Sequence, residues 1–128
     1  TAASITEDGV DESRTITVQF ISRTAKGIPW QFEPMINEVK VHPGEMKLVK
    51  FYAKNESVSN IVGQAVPSVS PGRAAVYFQK IECFCFTNQL IEANSSIRLP
   101  LQVTLSAKAP SDVNHLSLSY RIYEIESG

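Results

Sequence analysis

The stretch Ile97-Arg98-Leu99-Pro100-Leu101-Gln102-Val103-Thr104-Leu105 alternates apolar residues with polar ones or proline without a break. Successive side chains on a strand point to opposite faces, so this period of two describes a β-strand with one face on a core. Pro100 has no N–H to give to a ladder and predicts that the strand lies at a sheet edge. Further along, Leu116, Leu118, Tyr120 and Ile122 alternate with Ser117, Ser119, Arg121 and Tyr123. Near the start, Ile16, Val18 and Phe20 alternate with Thr15, Thr17 and Gln19. Three strands of one kind frame the chain, and no segment sustains a helical period.

The stretches between them add shorter strands and turns. Gly27 and Pro29 mark a turn over 23–29. Trp30, Phe32 and Met35, interrupted by Pro34, predict an edge strand or an extended crossing, with Trp30 and Met35 packed in the core. Val39 and Val41 share one face, and Val49, Phe51 and Ala53 answer after Pro43-Gly44, a pattern that predicts a hairpin. A short strand over 61–66 contains Gly63, and 67–72 reads as a loop. Polar residues over 87–96 read as another loop. Asn55-Glu56-Ser57 and Asn94-Ser95-Ser96 match a glycosylation acceptor pattern, but their composition is that of turns. About eight short strands at turn spacings of about 8–12 residues predict an all-β fold, an immunoglobulin-like antiparallel β-sandwich.

Composition bounds the function. The chain has 128 residues, 43% hydrophobic and 20% charged, which suits one domain over 14–128 behind a polar leader over 1–13. Twelve basic against thirteen acidic residues, with no basic run, speak against nucleic acid as a partner. No apolar stretch reaches the roughly 18–20 residues of a membrane helix. Neither a glycine-rich phosphate loop nor a nucleophile, base and acid set stands out, so the chain does not read as an enzyme. His42 and His115 each stand alone and read as surface residues.

The chemistry concentrates in Tyr77-Phe78-Gln79-Lys80-Ile81-Glu82-Cys83-Phe84-Cys85-Phe86, which holds both cysteines of the protein. On a strand, Cys83 and Cys85 would share one face and Phe84 and Phe86 the other. A disulfide between them is poorly placed, because Cα atoms two apart on a strand lie about 6.5–7 Å apart with parallel Cβ vectors. Zinc wants four ligands, and a second pair of cysteines is not present. Cu(I) is soft, is selected by thiolates and accepts few ligands, so it suits a lone Cys-x-Cys best. The alternative is that both cysteines are small hydrophobes of the core. Alternation within 75–86 is imperfect, which predicts a bulge or break near 79–82 and puts the cysteines at or near a strand start. Phe84 and Phe86 read as anchors of the cysteine strand, whereas Tyr77 and Lys80 are candidates for docking or for shielding the site.

Tyr77-Phe78, Lys80-Ile81 and Cys83-Phe84-Cys85-Phe86, followed by Thr87 and Gln89, resemble the signature of the CtaG-type copper-delivery assembly factors of cytochrome c oxidase. The resemblance extends to Ile16-Thr17-Val18-Gln19-Phe20, Gly27, Pro29-Trp30, Phe32, Pro34, Gly44-Glu45, Phe51-Tyr52, Asn55, Gly63, Ser70-Pro71 and Ala74, all in family order. Ala93-Asn94-Ser95, Leu99-Pro100 and Lys108-Ala109-Pro110 depart from the family pattern and mark a diverged member.

The resemblance implies a copper metallochaperone with the same sandwich fold. Cys83 and Cys85 would hold Cu(I), receive it from an upstream copper donor protein and deliver it to the copper B centre of cytochrome c oxidase subunit I. It also implies a membrane anchor ahead of this chain, with the domain facing the mitochondrial intermembrane space or the bacterial periplasm. Two sulfurs on one strand face further suggest a copper-linked homodimer. The competing expectation is a β-sandwich interaction module of a respiratory-chain assembly complex with structural or redox cysteines. A thiol oxidoreductase is disfavoured, since a Cys-x-Cys on a strand lacks the helix N-terminus that lowers a thiol pKa.

Overall fold

The structure, a computed structural model, describes residues 10–77 and 88–125, together with the main chain of 82 and 83. The strands, in chain order, are β1 (Ile16–Thr24), β2 (Trp30–Pro34), β3 (Glu38–Val41), β4 (Met46–Asn55), β5 (Ile61–Ser70), β6 (Glu82–Cys83), β7 (Gln89–Ile91), β8 (Ser96–Thr104) and β9 (His115–Glu124). A 3-10 helix over Gly72–Tyr77 stands between β5 and β6. One sheet has the order β3-β1-β9-β5-β7 and the other β2-β4-β8-β6. The all-β sandwich expected from the alternation is what forms. β1 and β9 pair in parallel, while the other described ladders are antiparallel.

The core lies between the sheets and is built from the positions that the period of two picks out. Ile16, Val18 and Phe20 of β1, Phe51 and Ala53 of β4, Leu99, Leu101 and Val103 of β8, and Leu116, Leu118, Tyr120 and Ile122 of β9 are all buried. Phe51 is the hub. Its ring stacks on Phe32 at 5.4 Å and meets Tyr120 at 5.4 Å and Phe20 at 6.2 Å edge-on, so it joins strands of both sheets. Such aromatic pairs add about 0.5–1.5 kcal/mol each beyond area burial. Burial pushes the Tyr120 phenol well above its ordinary range.

Several expectations change once the strands are paired. Val41 and Val49 do not flank a hairpin: β3 pairs with β1, and β4 pairs with β2 and β8. The Pro43-Gly44 turn instead carries the chain from one sheet to the other. Gly44, at φ 88°, donates its N–H to the Leu105 carbonyl at 2.7 Å, and Glu45 N–H closes on the His42 carbonyl at 2.9 Å. Alternation tells which face is buried, and both strands bury one; it does not name the partner strand.

β5 runs through Pro67 to Ser70, where a loop was expected, in register with β9 from Gly63 to Ser70. β7 covers only Ile61 to Gly63, so beyond Gly63 no β7 residue meets the outer side of β5, and a proline is tolerated there. The expected loop over 87–96 contains β7 itself. Nor is β8 an edge strand: β4 covers one side from Ser96 to Thr104, and β6 pairs with Leu101 and Gln102 on the other. On the β4 side Pro100 stands opposite Lys50, and the position facing it beyond the Cys83–Leu101 pair lies outside the described residues. Trp30 is buried as expected, but Met35 is about half exposed and does not join the core.

Candidate functional site

Cys83 sits on β6, the outermost strand of the four-stranded sheet. Its main chain pairs with Leu101, and Glu82 pairs with Gln102. Across β8 the same register continues to β4, where Leu101 stands opposite Val49 and Gln102 opposite Leu48. Leu101 is fully buried and Val49 nearly so, whereas Leu48 is exposed. The cysteine strand is thus docked on the central strand whose alternation is the clearest in the chain. The break expected near 79–82 lies largely outside the described residues, of which Glu82 and Cys83 are in strand β6. Side-chain geometry at Cys83 lies outside the described residues, as do Lys80, Phe84, Cys85 and Phe86.

Ahead of β6 in the chain stands the 3-10 helix. Residues 75–77 belong to this helix and not to a strand. Ala74 is fully buried, and its N–H bonds the Pro71 carbonyl at 2.9 Å. Tyr77 ends the helix, packs against the core and accepts a hydrogen bond from Ser106 N–H at 2.7 Å through its carbonyl. Arg73 reaches Asp112 at 2.9 Å and 3.4 Å on the surface. An exposed pair of this kind contributes little to stability, but it closes the same loop over the helix. The 3-10 helix is therefore held by the loop that follows β8, and β6 by β8 itself.

That loop has its own anchor. Arg14 donates to the carbonyls of Ala109 at 2.6 Å, Pro110 at 2.7 Å and Val113 at 3.4 Å. Its own carbonyl faces Nδ1 of His42 at 2.6 Å. Sequence reading missed both Arg14 and the Arg73–Asp112 pair, because neither partner lies near in the chain. Asn55, read as a turn residue, is buried and satisfied on both ends of its amide. The signal available was an Asn directly after a strand and ahead of Glu-Ser, which predicts a turn but not its burial.

His42 follows β3, and His115 opens β9 opposite Thr17 of β1. Both belong to the side of the five-stranded sheet, not to the sheet that carries Cys83. Among the described residues no group of three or more His, Cys, Asp or Glu is gathered to hold a metal ion.

A two-sheet β domain with a cysteine-bearing edge strand, braced by β8 and the β8–β9 loop, defines the class. The family model for the cytochrome c oxidase assembly protein CtaG/Cox11 matches residues 1–124, and the chain belongs to that family. It is 34% identical to the cytochrome c oxidase assembly protein ctaG of Reclinomonas americana over 94% of this chain and 69% of that protein. It is 36% identical to CtaG of Brucella ovis over 88% of this chain and 59% of that protein. The mitochondrial cytochrome c oxidase assembly protein COX11 of Saccharomyces cerevisiae is 36% identical over 93% of this chain, which spans 41% of that protein. Among the described residues no helix is long and apolar enough to cross a membrane.

Proposed function

We propose that this domain carries Cu(I) on the thiolates of Cys83 and Cys85 and passes it to the copper B centre of cytochrome c oxidase subunit I during assembly. The observation that carries the reading is the location of Cys83 on the outermost strand of its sheet, in a chain whose family is one of oxidase assembly proteins. Copper here is cargo. Thiolates select Cu(I), and a site of two sulfurs leaves coordination positions through which a receiving site exchanges ligands one at a time. An upstream donor protein supplies the ion, and the domain faces the intermembrane space or the periplasm from a membrane anchor outside this chain. A copper-linked homodimer completes the reading, since four sulfurs from two chains share two ions more readily than two sulfurs hold one.

The test is anaerobic loading of the reduced protein with Cu(I) beside the Cys83→Ala, Cys85→Ala variant, with circular dichroism as the control for folding. The parent is expected to retain copper through desalting and to rise in mass by light scattering, and the variant to do neither. Equal copper on a folded variant would overturn the cysteine site. A loaded parent that remains monomeric would remove the dimer and leave the carrier.

A further inference from the structure

The register of the parallel ladder sets Arg23 of β1 beside Arg121 of β9. Adjacent strands run about 4.8 Å apart, so two guanidinium groups start from neighbouring positions. On the next strand Val66 stands opposite Arg121, and Ser68 stands opposite Ser119. Arg23, Val66, Ser68, Ser119, Tyr120 and Arg121 line a cavity of about 240 Å³ that contains no acidic side chain. The same-face neighbours two positions along the strands are Ile21, Ser119, Tyr123, Gln64 and Ser68, all uncharged at neutral pH. Among the described residues neither arginine has an ion-pair or hydrogen-bond partner, unlike Arg14 and Arg73, which both do.

Like charges side by side on a sheet repel and destabilise the pair. A carboxylate at Ser68, Ser119 or Gln64 would relieve this, and none is there. We propose that Arg23 and Arg121, with the hydroxyls of Ser68 and Ser119, form a phosphate-binding site on the outer face of the five-stranded sheet. Two planar forks offer paired N–H donors suited to phosphate oxygens, and the serines add O–H donors. The donors outnumber the two oxygens of a carboxylate and suit the three or four of a phosphate group. The two positive charges match a phosphate dianion. The phosphate is either free or part of a lipid headgroup, and the site lies on the sheet that does not carry Cys83.

The test compares the protein with its Arg23→Gln, Arg121→Gln variant, with Arg73→Gln as a surface-charge control. Inorganic phosphate is titrated at constant ionic strength against chloride while amide shifts are followed by NMR. Saturable shifts are expected at Arg23, Ser68, Ser119 and Arg121, together with a rise in the parent's melting temperature of about 5 °C at ten times the dissociation constant. Both effects are expected to vanish in the double variant and to persist in Arg73→Gln. In the absence of phosphate the double variant is expected to melt no lower than the parent, because a repulsion has been removed. Sedimentation with phosphatidylcholine vesicles containing phosphatidylglycerol separates the sources. Vesicle binding that drops at least about tenfold in the double variant assigns the lipid phosphate, and saturation by inorganic phosphate alone assigns the free ion. Phosphate shifts absent from these residues, or ligand effects equal in parent and double variant, would overturn the site.

Discussion

The six-membered ring of the Trp30 indole packs against Gly63, so that a Cβ placed on Gly63 would meet Trp30 Cη2 at 2.5 Å and Cζ3 at 2.7 Å. Trp30 belongs to the edge of one sheet and Gly63 to β5 of the other, and their contact closes one end of the sandwich. Ile122 Cγ1, at 3.3 Å from the same point, blocks a sideways escape. Gly63→Ala is therefore expected to destabilise the fold by about 1–3 kcal/mol, the usual range for an overpacked core. Urea unfolding reads this as a lower midpoint at unchanged slope. Trp30→Phe in the same chain shortens the ring and is expected to recover part of the loss; an unchanged midpoint for Gly63→Ala alone would refute the contact.

Asn55 holds together the start of β5 and the end of β7. Its Nδ2 donates to the carbonyls of Ser59 at 2.7 Å and Ile91 at 2.9 Å, while Oδ1 accepts from Ser57 N–H at 3.0 Å and Ser57 Oγ at 2.7 Å. Asn55→Ala leaves a buried carbonyl without its donor, at about 2–3 kcal/mol. Asn55→Asp is expected to be no better, because a carboxylate would then face two carbonyl oxygens. Hydrogen exchange localises the effect: amides of β7 and the 56–60 turn are expected to lose protection before those of β9.

Arg14 spans the loop between β8 and β9 with three carbonyl contacts from one planar group. A lysine ammonium reaches no more than part of that set, since its donors do not fan out in a plane. Arg14→Lys is expected to cost about 1–2 kcal/mol and to speed proteolysis within 106–114. Because that loop also braces Tyr77 through Ser106, the variant is expected to move amide resonances of the 3-10 helix. Proteolysis at the parent's rate, with helix resonances unmoved, would show that the loop is held by other contacts.

The legible part of the fold was the part set by local periodicity. The faces of β1, β8 and β9 followed from alternation, because a strand's two faces are fixed by its own residues whatever it pairs with. Strand pairing did not follow. Val39, Val41 and Val49 carry the same pattern in an arch between sheets as in a hairpin, and Pro67 and Pro100 read as breaks or edges. The tolerance of Pro67 depends on how far β7 extends along β5. β7, at three residues, is too short for alternation to show at all.

At the site, the sequence alone determined which residues are the candidates for the proposed chemistry, since the two cysteines and their spacing are properties of the chain. It also determined, through the aromatic and cysteine run, the family to which the chain belongs. Only the tertiary structure decided that Cys83 rides on β8 at the margin of its sheet, that Tyr77 ends a helix held by Ser106, and that Arg23 stands beside Arg121. These relations join residues dozens of positions apart, and they arise when two sheets close over one core. Pairing energy depends on register and on partner burial, which no local pattern encodes.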